Sequence, residues 1–212
     1  MLTVNEIFFS IQGESSYAGR PCVFVRLTYC NLRCSYCDTS YAFEEGTEMS
    51  IEDIMEAVSS YNCKLVEITG GEPLLQHDVC EVMTRLCNEN YEVLLETNGS
   101  LDIGNVDPRV KRIVDLKCPS SGMDSKNMLE NIQYLKSGDE IKFVIRNRVD
   151  YDWTKSMIGK YELSGRCPIY MSVVFGVLDP SQLVSWILED KLGVCFQLQM
   201  QKYIWKPETR GV

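Results

Sequence analysis

The stretch Cys30-Asn31-Leu32-Arg33-Cys34-Ser35-Tyr36-Cys37 decides how the rest of the chain is read. It follows closely on Cys22-Val23-Phe24-Val25-Arg26-Leu27, an apolar, β-branched run that reads as a strand. Three thiolates this close together can reach one metal centre, and thiolates are the usual ligands of iron–sulfur clusters. A structural cluster takes four cysteines. Three leave one iron open to a substrate or cofactor, by the logic that separates open catalytic zinc sites from closed structural ones. Structural zinc is the plainer alternative, but it wants a fourth ligand from a second Cys-x-x-Cys or a His pair. The chain has ten cysteines, no second such pair and one histidine, His77. The spacing therefore favours a cluster.

Working outward, further strands are expected at 3–9, 65–69, 93–97, 112–116, 141–145, 169–174 and 194–199, besides 22–27. Helical patterns fall between several of them. Ser50-Ile51-Glu52-Asp53 resembles a capping box, followed by an apolar face of Ile51, Ile54, Met55 and Val58. A second helix is expected at about 78–88. A third starts at Asp179-Pro180, with the acid as cap, Pro at the first helical position and Leu183, Val184, Ile187 and Leu188 buried. Strand–helix–strand alternation predicts parallel βαβ units, whose ligands bind at the carboxyl ends of the strands. The stretches 98–110 and 119–127 carry little helical pattern, so some crossover helices should be reduced to loops.

Length, 212 residues, suits one domain (1–212) with a real core, and 45% hydrophobic against 24% charged residues is ordinary for a globular protein. A net charge of −9 argues against broad nucleic-acid binding. The start of the chain has no signal-peptide pattern and no apolar run spans a bilayer, so a cytoplasmic address without a membrane partner is expected. In a reducing compartment, Cys22, Cys63, Cys80, Cys87, Cys167 and Cys195 read as small core residues.

A second motif, Thr69-Gly70-Gly71-Glu72-Pro73, directly follows a strand. Paired glycines let backbone approach a ligand closely, and Glu72 can accept a bond from an ammonium group. A plain turn is the alternative. Arg26 lies on the Phe24 face of its strand, opposite Val23, Val25 and Leu27. Such an arginine needs a partner, either a substrate carboxylate or a structural salt bridge.

Cys-x3-Cys-x2-Cys with an aromatic before the last cysteine resembles the radical S-adenosylmethionine (SAM) signature, and Gly-Gly-Glu-Pro resembles a second motif of that superfamily. More closely, the chain resembles the 7-carboxy-7-deazaguanine synthase family of queuosine biosynthesis. The matching pieces are Glu6-Ile7-Phe8-Phe9-Ser10-Ile11-Gln12-Gly13-Glu14, Gly19-Arg20-Pro21, Cys37-Asp38-Thr39, Thr69-Gly70-Gly71-Glu72-Pro73-Leu74-Leu75, Glu96-Thr97-Asn98-Gly99, Asp115-Leu116-Lys117-Cys118-Pro119 and Arg210-Gly211-Val212. The resemblance implies an α/β fold, a single-domain partial (β/α) barrel of the radical SAM type. It implies a lyase that converts 6-carboxy-5,6,7,8-tetrahydropterin to 7-carboxy-7-deazaguanine with loss of ammonia. In the family a 5′-deoxyadenosyl radical takes a hydrogen from C6 of the pterin, and the ring then contracts. The implied cofactors are one 4Fe–4S cluster on Cys30, Cys34 and Cys37, SAM, and Mg2+ on Thr39. SAM contacts are implied for Tyr36, Cys37, Asp38, Gly71, Glu72, Glu96, Asn98, Lys117, Cys118, Pro119 and Ser172. Substrate contacts are implied for Ile11, Gln12, Gly13, Glu14, Arg26, Thr69 and the carboxylate of Val212. An electron donor such as flavodoxin or ferredoxin is implied, and the family is often dimeric. One departure stands out: the family often has His before the lysine of its last strand, where this chain has Gln201-Lys202. The rival readings are a radical SAM activase that acts on a protein partner and a non-catalytic metal-binding module, structural zinc or electron transfer.

Overall fold

The computed structural model describes residues 1–212. One nine-stranded sheet organises it. Strand β1 (Leu2–Ile11) forms an antiparallel hairpin with β2 (Pro21–Leu27), and β3 (Thr47–Met49) covers the outer edge of β1. From β2 the sheet runs parallel through β4 (Leu65–Gly70), β5 (Glu92–Thr97), β6 (Lys111–Asp115), β7 (Glu140–Ile145), β8 (Ile169–Val173) and β9 (Cys195–Phe196). The ladder leaves β3 and β9 as edges, so the barrel is partial.

The crossovers explain the shape. Helices α1 (Ile51–Ser60), α2 (Val79–Asn88), α3 (Arg148–Lys160) and α4 (Pro180–Glu189) cover one face, whereas the β5–β6 and β6–β7 connections carry no α-helix, only short 3-10 turns after β6. The reduced crossovers expected from 98–110 and 119–127 are thus present. Ser50 and Asp53 make both bonds of the capping box on α1, and Asp179 accepts from the Ser181 amide at the start of α4. Each satisfies orphan N–H groups of a first turn.

Each strand is two-faced. Val23, Val25, Val66, Ile68, Val93, Leu95, Ile141, Phe143, Ile145, Ile169 and Met171 point to the helices and form the main core. On the other face, Phe8, Cys22, Phe24, Leu65, Leu94 and Ile113 form a smaller apolar floor, with Phe8 and Phe24 stacked at 4.9 Å. Above this floor the same face carries Arg26, Glu67, Thr69, Glu96, Asp115 and Lys142.

Three details differ from the sequence reading. Helix α3 is not legible as an apolar stripe, because Asp150 and Thr154 occupy its buried face alongside Tyr151, Met157 and Ile158. The strand expected at 194–199 pairs over two residues only; beyond Phe196 the Gln197 amide bonds Met171 O and the chain leaves the ladder. On α4, Leu183 and Ile187 are buried, but Val184 is half-buried and Leu188 is 69% exposed, since a surface helix buries a stripe narrower than four neighbouring apolar residues. Of the cysteines read as core, Cys22, Cys87 and Cys167 are buried, Cys63 and Cys80 half-buried, and Cys195 exposed on the edge strand.

Candidate active site

The unpaired face of the sheet encloses a cavity of about 870 Å³ at the carboxyl ends of the strands. The cysteine loop reaches it from β2. At the end of β4, Gly70 has φ +143°, and a Cβ there would lie 2.2 Å from Leu27 O; one on Gly71 would lie 2.1 Å from Tyr29 O. Only glycine lets this loop press against the approach to Cys30, and Gly71 N and Glu72 N seal the contact by donating to Leu27 O and Tyr29 O. The two sequence motifs are therefore one assembly.

Cys30, Cys34 and Cys37 all line the cavity. No three His, Cys, Asp or Glu side chains gather tightly enough to grip a single ion. Three free thiols in one chamber match the donor set of an iron–sulfur cluster. Leu32 N and Asn98 Nδ2 donate toward the Cys30 sulfur at 3.4 and 3.7 Å. Burial pushes the Cys34 thiol up while Lys117 draws it down. Cys118 stays outside the set: it is fully buried, and its Sγ meets Thr154 Oγ1 at 3.5 Å.

Glu72 takes a different place from the one its motif suggests. It is fully buried and off the cavity wall; its carboxylate accepts from Leu74 N, Thr97 Oγ1 and Asn98 N. It braces the Gly-Gly loop against the end of β5. Pro119 also lies off the wall. Ser172 is buried on the Tyr170 and Val174 face of β8, and its hydroxyl has no partner. Asp115 Oδ1 and Gln201 Oε1 are likewise buried and unpaired. Orphaned polar atoms beside a cavity are what a polar ligand would satisfy.

Gly71, Glu96, Asn98, Lys117, Tyr36, Asp38 and Thr39 all line the chamber. Tyr36 OH donates to Val144 O at 3.3 Å. Thr39 Oγ1 donates to Asp38 Oδ1 at 3.0 Å. Burial raises the Asp38 carboxyl, but Lys202 at 2.6 Å outweighs it and brings the pKa down to about 2. Lys117 bonds Asp115 at 2.8 Å.

Arg26 makes the salt bridge that sequence left open, with Nε 2.8 Å from Glu6 Oε1. Its terminal nitrogens have no protein partner and remain on the cavity wall. The chain end returns to this region: Arg210 stacks over Tyr41 at 3.9 Å and pairs with Glu45 at 2.9 Å, and Val212 lines the cavity rather than fraying away.

The 11–14 segment lines the cavity but is heavily committed. Gln12 exchanges backbone bonds with Gly19 and Arg20, and its side chain bonds Glu67 and Glu14 N. Glu14 collects Lys142 Nζ at 2.6 Å, Gln199 Nε2 at 2.9 Å and Gln201 Nε2 at 3.2 Å. Lys142 also reaches Glu96 at 2.9 Å, and Thr69 Oγ1 donates to the other Glu96 oxygen. Burial disfavours both charges, yet the pairing prevails: Lys142 is held well above the ordinary lysine value and Glu96 below the ordinary glutamate value. These contacts draw β1's loop to β7, five places along the sheet, and close the barrel without a ladder. Lys142 and Glu67 were missed by sequence reasoning. The alternation that singled out Arg26 applies equally to Ile141-Lys142-Phe143 and Val66-Glu67-Ile68.

Residues 25–162 match the family profile described as "Radical SAM superfamily". The 7-carboxy-7-deazaguanine synthase of Chlorobaculum tepidum is 48% identical over 214 residues, covering 100% of this chain and 97% of the relative. That of Koribacter versatilis is 43% identical and covers 100% of both chains. Among solved structures, QueE from Escherichia coli superposes with a TM-score of 0.74 at 20% identity, covering 92% of this chain and 93% of that one, a likeness of fold. With the superfamily profile over more than half of its length and such relatives along all of it, the chain belongs to the radical SAM superfamily and, within it, to the 7-carboxy-7-deazaguanine synthase family.

Proposed function

We propose that this radical SAM enzyme of 7-deazapurine biosynthesis converts 6-carboxy-5,6,7,8-tetrahydropterin to 7-carboxy-7-deazaguanine and ammonia. The observation that carries the reading is that one chamber holds both the three free thiols and a set of groups suited to a carboxylated heterocycle. Cys30, Cys34 and Cys37 would hold the 4Fe–4S cluster, with its open iron facing SAM. Bound there, cluster and SAM supply one-electron chemistry that makes a carbon radical able to take a hydrogen atom from a C–H bond.

The chain's own groups bind, orient and exclude water. Arg26, its Nε fixed by Glu6, offers a planar pair of N–H donors to the substrate carboxylate. Thr69 and the Val212 end sit on the same wall. Phe8, Phe24 and Ile113 form an apolar bed for the ring. Tyr36, Gly71, Asn98 and Lys117 line the SAM side, and Ser172 offers an unpaired hydroxyl just behind it. Glu72 acts through the loop it braces. Thr39, on the cavity wall, would hold Mg2+ through its hydroxyl, and the ion would supply positive charge beside the substrate. A small redox protein such as flavodoxin or ferredoxin delivers the electron, the protein works as a homodimer, and it acts in the cytoplasm; no helix is long and apolar enough to cross a membrane.

The test is an anaerobic assay of reconstituted protein with SAM, reductant, magnesium and 6-carboxytetrahydropterin. Product at the mass of substrate minus ammonia, over many turnovers per SAM consumed, is expected. Formation of 5′-deoxyadenosine alone would leave the superfamily chemistry standing and overturn the substrate.

A further inference from the structure

We propose that Glu67 is a substrate-reading residue of the cavity, a neutral carboxylic acid that presents an O–H donor to an acceptor atom on the bound heterocycle. The inference rests on the pterin-to-deazapurine reading of the site and adds to it a contact that neither motif nor resemblance assigns.

Three observations carry it. Glu67 alternates with Val66 and Ile68 on β4, so it points away from the helices and lines the cavity. It stands between Phe24 on β2 and Leu94 on β5, its register partners and part of the apolar floor. A carboxylate between two apolar neighbours is poorly solvated and is favoured as the acid.

The second observation is the direction of its one hydrogen bond. The Glu14 amide donates to Gln12 Oε1 at 2.9 Å, which fixes that side-chain amide. Its Nε2 must then donate, and its partner is Glu67 Oε2. A carboxylate oxygen would accept this bond too; in the acid form the accepting oxygen is the carbonyl, which puts the proton on Oε1. Oε1 has no protein partner and is not among the sealed, unpaired atoms of the interior; it opens on the cavity.

The third is the charge around it. Glu96 faces it from β5, Lys142 from β7, Glu14 from the β1–β2 loop and Arg26 from β2. Lys142 is already shared between Glu14 and Glu96. A third carboxylate here would lack a cation of its own. Burial first, and Glu96 second, push the Glu67 carboxyl well above the ordinary glutamate range. Pterins and deazapurines carry ring nitrogens and a ring carbonyl that accept hydrogen bonds. An O–H on the cavity floor would select such an edge and reject one that shows only donors.

Glutamine copies the acid form: its carbonyl can accept from Gln12 and its N–H can donate to the ligand. Methionine keeps the bulk and removes both. The test is calorimetric binding of 7-carboxy-7-deazaguanine to reconstituted, SAM-loaded protein near pH 6. Glu67→Gln should bind within about threefold of the parent and Glu67→Met at least about tenfold more weakly. A loss in Glu67→Gln as large as that in Glu67→Met would show that the ionised form is needed and overturn the proposal. So would unchanged binding in Glu67→Met. If the parent itself bound no 7-carboxy-7-deazaguanine, the substrate reading would fall and this inference with it, a signature distinct from either variant result.

Discussion

The two faces of β4 show how one strand serves two purposes. Val66 and Ile68 are fully buried against the helices, while Glu67 and Thr69, one residue away on each, look into the cavity. The helix face is apolar along β2, β4 and β7, and along β5 until Thr97 at its end. The cavity face breaks that pattern repeatedly, with Arg26, Glu67, Glu96 and Lys142 all on its wall. Burying charge is costly, and it is tolerated where each charge has a partner or a ligand to meet. The difference teaches that one side of the sheet packs as apolar core and the other holds paired charges around the ligand cavity.

The sharpest way to break that division is at the cysteine loop. Cys34→Ala should lower bound iron and sulfide and reduce SAM cleavage to background, whereas Cys63→Ala, packed beside the core, should leave both near the parent level. Cleavage retained without Cys34 would sink the cluster assignment.

A second comparison sets one charge on the cavity face against one aliphatic on the other. Lys142→Met leaves Glu14 and Glu96 buried without their cation and is expected to cost about 3–5 kcal/mol in denaturant unfolding. Ile68→Ala opens a cavity in the main core and should cost about 2–5 kcal/mol. The two are separated by ligand binding. Lys142→Met should also weaken binding of 7-carboxy-7-deazaguanine, because it releases the loop that closes the barrel, whereas Ile68→Ala should lower stability with binding kept. Equal effects of both on binding would erase the distinction between the faces.

The smallest expected effect is in acid. Asp38 has its pKa drawn down to about 2 by Lys202. A carboxyl depressed in the folded state contributes stability that is fully present above its unfolded value, near 3.9, and is lost as pH falls through about 2. The Asp38 side chain is 53% exposed, so the contribution is small. Lys202→Met should move the Asp38 titration, followed by NMR, toward the ordinary value. An unmoved titration would mean that Lys202 does not hold the chain's last segment over Asp38.

Much of this was legible beforehand, for local reasons. Strand positions followed from β-branched runs, α1 from its capping box, and the three thiols on one cavity wall from their spacing. Helix α3 was hidden because its buried stripe contains Asp150, whose carboxylate accepts from Ser120 N and Arg146 N, bonds that no periodicity reports. The edge strand was overestimated because beyond Phe196 the chain turns Gln197, Gln199 and Gln201 toward Glu14 instead of pairing.

The amino-acid sequence by itself determined which residue types stand at the carboxyl ends of the strands, and so the class of chemistry: alternation and thiol spacing are properties of neighbours along the chain. Only the tertiary structure decided who partners whom across the cavity. Glu72 became a brace, Arg26 found Glu6, and Glu14 met Lys142. The first two join neighbouring strands, Glu6 being the register partner of Arg26, but the Glu14–Lys142 pair depends on how far the sheet curls, and that curvature comes from packing along the whole sheet.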